Sequence, residues 1–398
     1  MEFDLSAYAP FQAEVEPGVA ASTRTASSRP AALAGRAPRP RPRSGGVQRE
    51  LGERGWLCGG WPVEFGGGGW SKVKQAVFNE VAAYRGIPRY RSRQTLGSRP
   101  FGPTLMIYGS PAQQVEFLPR IARGEIIWSQ GYSEPNAGSD LAALETRAVA
   151  AGDFFLITGT KVWNHSQDVD YIFLLARTDP AAPKHRGITQ FILPRHTPGV
   201  TVRPILDAYG DERWTLLILE EVRLPRTLVV GEVNRGWYQA ATSLDFERSQ
   251  MAYVGAARRT LETLIQLART HQRGGQPLAA DPVVRARLGE LAVQLEGARW
   301  LSYRVAFLQD QGQVGTPEFS RAASLSKVWA CETQQRLQRL GVELVGPLGL
   351  LSAGSPWAVL DGWLDEEYWG APGTTLAGGT SEIQRNIIAQ RGFGLPRA

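Results

Sequence analysis

The segment Gly379-Thr380-Ser381-Glu382-Ile383-Gln384-Arg385-Asn386, near the C-terminus, decides the fold together with Ser133-Glu134-Pro135-Asn136-Ala137-Gly138-Ser139-Asp140 upstream. In the first segment Ser381 and Gln384 stand at capping-box spacing, so a helix opens there. Gly378-Gly379 ahead of it lets the backbone come close to a ligand. The N–H groups exposed at such a helix start suit phosphates or an electron-rich ring. In the second, a Gly/Pro/Asn-rich loop, Ser133 and Ser139 offer hydroxyls and backbone N–H groups to an anionic or carbonyl-bearing ligand.

The chain around these segments has 398 residues, more than one compact core holds, since single cores stop growing near ~250–300 residues. With 43% hydrophobic and 21% charged residues it has the composition of a multidomain globular protein. Residues 20–46 are rich in Ala, Ser, Arg and Pro, including Arg36–Arg43 with alternating prolines, and read as a loop or disordered segment. Helices are expected over Val73–Tyr84 and Pro111–Arg123. Between them and the C-terminal helices lie short β-rich runs, Phe154–Thr158, Tyr171–Arg177, Ile188–Leu193, Val200–Ile205 and Trp214–Val222, with no helix between them, which points to an antiparallel sheet. Beyond Gly236 helical patterns cover about 237–271, 282–311, 317–346 and 381–392, enough for a four-helix bundle. The expected fold is therefore α+β: an N-terminal helical domain over 1–127, a central β-domain over 128–232 and a C-terminal bundle over 233–398. Strands and helices do not alternate, which excludes a Rossmann fold or TIM barrel and counts against an NAD enzyme. The glycines of Trp61–Trp70 lack the ending of a phosphate loop and follow no strand, so they read as a turn.

The excess of 44 Lys+Arg over 38 Asp+Glu, a net +6, is scattered rather than gathered into a stripe, so a nucleic-acid partner is not expected. Cys58 and Cys331 have no metal-ligand spacing and form no disulfide framework, and neither a metal site nor an oxidising compartment is implied. The N-terminus Met1-Glu2-Phe3-Asp4 is acidic where a signal peptide is basic, and no apolar run approaches ~18 residues. A cytoplasmic protein without a membrane span is the expectation.

Ser133–Asp140 closely resembles the signature of acyl-CoA dehydrogenases. Gly159-Thr160-Lys161-Val162-Trp163, Phe173–Thr178, Asn234-Arg235-Gly236-Trp237 and Gly379–Ala389 add further matches in the family's order, so the resemblance runs from about Leu51 to the end. It implies that the chain binds FAD and acts on an acyl-CoA. By the same resemblance Ser133 and Ser139 contact flavin and acyl-CoA, Trp163 packs against the isoalloxazine, Thr380 and Glu382 lie beside the flavin, and Asp245 and Arg248 join Ser139 as substrate contacts. The implied acceptor is an electron-transfer flavoprotein, and the implied assembly a homotetramer or heterotetramer.

Three places depart from the family pattern. Many members carry the catalytic base as a Glu immediately before the Gly-Thr of the last motif, where this chain has Gly378. The isovaleryl-CoA and long-chain branches place it just before an Arg on the helix after the β-domain, which makes Glu247, in Leu244-Asp245-Phe246-Glu247-Arg248, the expected base. Apolar neighbours there favour the raised pKa a general base needs. Trp163-Asn164-His165-Ser166 lacks the Thr or Ser that relatives use to bond the flavin near N5, so His165 or Ser166 substitutes. Finally, Arg269–Pro277 lacks the Phe of the segment that holds a neighbouring subunit's FAD diphosphate, leaving Arg269 or Arg273 to supply charge.

The expected reaction is α,β-dehydrogenation of an acyl-CoA to a trans-2-enoyl-CoA. The stretches Asn234–Arg248 and Leu376–Arg385 most resemble the steroid side-chain branch, some of whose subunits lack base or flavin and work within heteromeric tetramers. Alternatives on the same fold are an oxidase, an N-oxygenase, a biosynthetic dehydrogenase of carrier-bound acyl groups, or a non-catalytic subunit.

Overall fold

A computed structural model describes residues 5–26, 45–87, 96–246 and 249–396. The chain divides into two compact units, one built from residues 38–70 and 89–247, the other from 1–37, 71–88 and 248–398. In chain order the elements are α1 (Ala9–Ala26), α2 (Gly45–Glu53), α3 (Lys72–Tyr84), α4 (Gly102–Tyr108), α5 (Pro111–Ala122), β1 (Trp128–Gly131), β2 (Arg147–Ala151), β3 (Phe154–Asn164), β4 (Tyr171–Arg177), β5 (Ile188–Pro194), β6 (Val200–Ile205), β7 (Trp214–Pro225), α6 (Gly236–Phe246), α7 (Met251–Thr270), β8 (Gln272–Arg273), β9 (Gln276–Pro277), α8 (Pro282–Asp310), α9 (Pro317–Val345), α10 (Trp363–Leu376) and α11 (Ser381–Ile387).

The first unit is organised by a seven-stranded sheet in the order β1–β4–β2–β3–β7–β6, with β5 paired to β4. β4 and β5 are buried along almost their whole length, β4 as a continuous apolar run and β5 with Thr189 and Gln190 buried among apolar residues, whereas β6 alternates apolar and polar residues over its first four positions and has no buried position. Phe155, Ile172, Leu174, Phe191, Leu217 and Leu219 form the middle of the core. A second group joins α5 and the residues before α4 to the sheet: Phe101 lies 4.4 Å from Phe173, and Trp128 stacks on Tyr171 at 5.0 Å. Most pairings are antiparallel, as expected, but β1 pairs with β4 in parallel. The chain leaves β1 for the long excursion through β2 and β3 before returning as β4, and such a crossover is what a parallel pair requires.

Around β3 the ladder to β7 slips twice, once between Ile157 and Gly159 and once between Lys161 and Asn164. At the second irregularity Lys161 and Val162 are both buried, and Trp163 takes φ 60. The extra residue breaks the two-residue alternation and turns Trp163 out of the sheet. The glycines of Trp61–Trp70 form a compact turn, closed by Trp70 N–H on Gly59 O (2.8 Å) and by the Trp61 indole on Ser98 O (2.9 Å).

The second unit is helical, with α9 packed against α7, α8, α10 and α11. Asp281 and Thr316 cap the starts of α8 and α9. The α3 N-terminus is held by Ser71, whose Oγ accepts from Lys74 N–H, and by Asp310, which accepts from the N–H groups of Lys72 and Val73 at 2.6 and 3.0 Å. The buried Glu80 of α3 accepts from Arg299 Nε (2.7 Å) and from the Tyr303 hydroxyl (2.5 Å), both on α8.

Several segments differ from the sequence reading, among them α4, β1 and β2, which it did not anticipate. The helix expected over 237–271 is two helices, α6 and α7, because Ser249 and Gln250 are non-helical. The apolar periodicity continues across them and carries no break signal. α10 was not among the expected helices, and its sequence holds Gly370, Pro372 and Gly373, residues that locally disfavour a helix. α1 extends to Ala26 into the expected loop at 20–46, on helix-forming alanines, while residues 27–44 with the Arg/Pro run lie outside the described residues.

Candidate functional site

In the sheet-based unit, four of the quoted motifs are bonded to one another. The Ser133–Asp140 loop is joined to β3 by Val162 N–H on Ser133 O (2.9 Å) and by a buried ion pair between Glu134 and Lys161 (2.8 Å). Arg177, at the end of β4, donates to Ala142 O (2.6 Å) and Leu144 O (3.0 Å), fixing the downstream side of the loop. Thr178 donates to Asn234 Oδ1, and Asn234 N–H donates to Thr189 Oγ1 at 2.8 Å, so the Asn234–Trp237 turn is tied to β4 and β5.

Burial pushes the Glu134 carboxyl upward, but the Lys161 ammonium and hydrogen bonds from Thr146 and Glu145 outweigh it and hold the carboxyl below its ordinary value. Burial takes Lys161 down to about 8 against the pull of Glu134, so both groups are charged near neutral pH. The loop presents Ser139 exposed and Ser133 half-buried, and neither hydroxyl holds a hydrogen bond among the described residues. Asp140 is exposed and paired with Lys184 at 2.6 Å.

The bulge in β3 leaves the Trp163 indole 58% exposed, edge-on to Trp214 at 6.4 Å. His165 is half-buried, stacked on Trp214 at 4.5 Å, and its Nδ1 bonds to Arg213 O. A carbonyl accepts, so Nδ1 carries the proton. Ser166 is fully buried, with its hydroxyl donating to Ser129 Oγ (3.1 Å) and its N–H to Thr215 Oγ1 (3.1 Å). Of the two residues expected to substitute near the flavin, Ser166 is thus engaged inside the sheet and His165 is the one with exposed surface. Asn164, next to Trp163 at the end of β3, is buried, and its Nδ2 has no partner among the described residues.

In the helical unit, Gly378 and Gly379 adopt φ 67 and 85, a turn that only glycine enters cheaply. The capping residue differs from the expected one by one position. Thr380, not Ser381, is the N-cap, its Oγ1 accepting from Ile383 N–H at 3.2 Å, and Gln384 donates back to Gly378 O at 3.1 Å. Both Thr and Ser cap well, so adjacent hydroxyls left the register open in sequence.

Lys327 of α9, almost wholly buried, donates to Gly379 O at 2.8 Å. Its pKa is lowered by burial, against the pull of Cys331, Glu382 and Glu332, while burial raises the Cys331 thiol to about 11. Glu382 is exposed, and bonds from its own backbone N–H and from Thr380 hold it below the usual carboxylate range. A cleft beside this turn is lined by Glu332, Arg336, Thr375, Leu376, Ser381 and Glu382.

Arg269 is exposed in the last turn of α7. Arg273 sits in the β8–β9 hairpin, turned by Gly274 and Gly275 at φ 60 and 79, and donates to Leu344 O at the end of α9 (2.8 Å). Glu247 and Arg248 lie outside the described residues, and Asp245 is placed only by its backbone, in α6. Among the described residues no cluster of His, Cys, Asp or Glu is placed to hold a metal, and no helix is long and apolar enough to cross a membrane.

Glu134, Lys161, Arg177 and Lys327 were not among the expected site residues. Three of them stand inside the quoted motifs, and the signal was a charged residue within an otherwise apolar strand or beside a turn: Lys161 in β3, Arg177 closing β4. Lys327 carries no such signal, because a lysine on a long helix reads as surface.

Three family models span most of the chain: acyl-CoA dehydrogenase N-terminal domain over residues 22–125, middle domain over 129–222 and C-terminal domain over 234–393. The acyl-CoA dehydrogenase FadE26 of Mycobacterium tuberculosis is 35% identical over 363 residues, 89% of either chain. Among solved structures, the Tcur3481-Tcur3483 steroid ACAD matches with a TM-score of 0.86 at 31% identity, covering 100% of both chains. The ChsE4-ChsE5 complex from Mycobacterium tuberculosis matches with a TM-score of 0.82, also at 31% identity and 100% of both chains. With its three matched domains and its ordered, mutually bonded motifs, this chain belongs to the acyl-CoA dehydrogenase family of oxidoreductases.

Proposed function

We propose that this protein is an FAD-dependent dehydrogenase that removes hydrogen from the α- and β-carbons of a bulky acyl-CoA, with Glu247 taking the α-proton. The observation that carries the reading is the β3 bulge, which presents an exposed indole at Trp163 beside a loop whose Ser133 and Ser139 hydroxyls are uncommitted among the described residues. Such a surface fits a large planar ring and a carbonyl-bearing thioester. The lone Asn164 Nδ2 adds a buried donor for a ring carbonyl. On the helical unit, Thr380 and Glu382 follow an exposed glycine, Gly378, around which a Cβ would meet nothing within 4 Å. When bound, FAD supplies the hydride acceptor at its N5.

The chain's own residues do the rest. Gly378 offers no carboxylate, so the base comes from another element, and Glu247 on the chain following α6 is the residue we assign. Its carboxylate takes the α-proton while the hydride leaves the β-carbon, a transfer that needs a positioned base with a pKa near the working pH. Asp245, Arg248 and Ser139 are proposed substrate contacts, Arg269 and Arg273 diphosphate contacts, and His165 the flavin-side neighbour. The open space at Gly378 supports a bulky acyl group, as does the similarity to a protein titled a steroid ACAD. The two-component names of the Tcur3481-Tcur3483 and ChsE4-ChsE5 structures support assembly with a second, different subunit. The proposed electron acceptor is an electron-transfer flavoprotein, and the proposed compartment the cytoplasm.

The test is the visible spectrum of the purified protein, alone and with short, branched and steroidal acyl-CoAs. A flavin band near ~450 nm that bleaches without oxygen consumption is the expected result. Glu247→Gln is expected to keep the band and abolish bleaching; reduction that survives this change removes Glu247 from the role. A colourless protein that takes up no FAD favours instead the reading as a non-catalytic subunit.

A further inference from the structure

A wholly buried ammonium demands an explanation, because desolvation costs it more than an ordinary surface ion pair returns. Lys161 is such a group, at 0% exposure within β3, where an apolar side chain would fill the same volume. Its Nζ donates to Tyr132 O at 3.0 Å and to Glu134 Oε1 at 2.8 Å. Glu134 in turn accepts from Thr146 N–H (2.9 Å) and Glu145 N–H (2.6 Å). Tyr132 and Glu134 enter the Ser133–Asp140 loop, and Glu145 and Thr146 follow the chain's exit from it. One buried charge therefore gathers both sides of the loop onto β3, just ahead of its bulge, and these bonds cannot be made by an apolar replacement.

We propose that Lys161 is a positioning residue: its ammonium, through Tyr132 O and the Glu134 carboxylate, sets the conformation in which the Ser133–Asp140 loop presents Ser133 and Ser139 to the ligand. The ligand-facing role of this loop rests on the function proposed above, but its conformation is measurable without any ligand. Removing one charge alone strands the other in the interior and confuses stability with positioning. Removing both separates the two, because a pair that serves only stability is dispensable once both charges are gone.

Hydrogen exchange read by mass spectrometry on the full chain compares wild type, Lys161→Met, Glu134→Gln and the double variant Lys161→Met/Glu134→Gln. In the double variant the hydrogen-bonded loop amides, Glu134 and Ala137, are expected to exchange about tenfold faster while β4 and β5 stay as protected as in wild type. Wild-type exchange of the loop in that variant overturns the proposal. If Lys161→Met does not fold, the double variant, in which no charge is stranded, still decides the question. FAD titrated into flavin-free protein, followed by flavin fluorescence, is expected to bind the double variant about tenfold more weakly than wild type, as a loosened supporting shell implies; equal affinity counts against positioning. Should wild type itself bind no FAD, the proposed function fails, and loop exchange alone still judges Lys161.

Discussion

Both signature turns of the molecule rest on a buried lysine that donates to a main-chain carbonyl. Lys161 holds Tyr132 O at the entrance of the Ser133–Asp140 loop, and Lys327 holds Gly379 O at the start of α11. They differ in the company they keep. Lys161 has a carboxylate at 2.8 Å that is itself saturated with backbone N–H groups, whereas Lys327 bonds to the carbonyl and feels Cys331, Glu382 and Glu332 only at longer range. The first turn is thus held by a closed ionic network between side chains, the second by backbone conformation with a lysine leaning on it. Substitutions are expected to break the first through charge and the second through φ.

The largest effect is expected at Glu134. Glu134→Ala leaves Lys161 fully buried without its counter-charge, a change that typically costs about 3–5 kcal/mol. Urea midpoints at pH 7 measure it, and a loss below about 1 kcal/mol would sink the claim that the pair is closed to solvent. The pH dependence of the pair has a definite sign. Lys161 titrates near 8 in the fold and at 10.5 in its reference state, so between those values the unfolded chain binds the proton that the folded chain has released. Its contribution to stability therefore rises across that window. Glu134, held below its reference 4.5, contributes stability present above that value and lost as pH falls through its folded pKa. Relative to Lys161→Met, wild type is expected to gain stability between pH 8 and 10.

At the second turn the sharper break comes from the backbone. A methyl at Gly379 would sit 2.6 Å from Gln384 Nε2, the atom that bonds to Gly378 O, at a φ of 85. Gly379→Ala is expected to cost about 2 kcal/mol, combining left-handed strain with a displaced hydrogen bond. Gly378→Ala, at φ 67 with nothing within 4 Å, meets the strain alone and is expected to cost about 1 kcal/mol. Thermal unfolding of the two variants side by side checks the difference; equal losses would show that Gln384 gives way freely.

This division also explains what was legible in the sequence. The α–β–α order and the strands β4 to β7 follow from apolar runs and their punctuation, and the motifs near Ser133 and Gly379 were visible because loops that meet ligands use small and polar residues in unusual density. The sequence could not show that Glu134 and Lys161, 27 positions apart, meet, because the contact joins a loop to a strand across a separation that no local pattern spans. The same holds for Ser166: it reads like a site residue beside His165, and only the register that buries it against Ser129 and Thr215 reveals an internal role. α10 stayed hidden because Gly370, Pro372 and Gly373 argue locally against a helix that tertiary packing on α9 sustains.

The smallest effect is expected at Lys327, and it tests the comparison most directly. Lys327→Met removes the donor to Gly379 O, a loss of about 1 kcal/mol for one hydrogen bond. It also removes a buried ammonium with no carboxylate at bonding distance among the described residues, and that relief has the opposite sign. The two nearly cancel, so global stability should change by less than about 1 kcal/mol, in contrast to Glu134→Ala. The local consequence should survive the cancellation. Gly379 O turns to solvent, and the Ile383 and Gln384 amides, which bond to Thr380, should exchange faster while those in the middle of α9 do not. Cys331, whose thiol Lys327 pulls downward, should become still less acidic, read as slower thiol alkylation at high pH. A global loss as large as that of Glu134→Ala would mean that Lys327 is tied into a closed ionic network of its own.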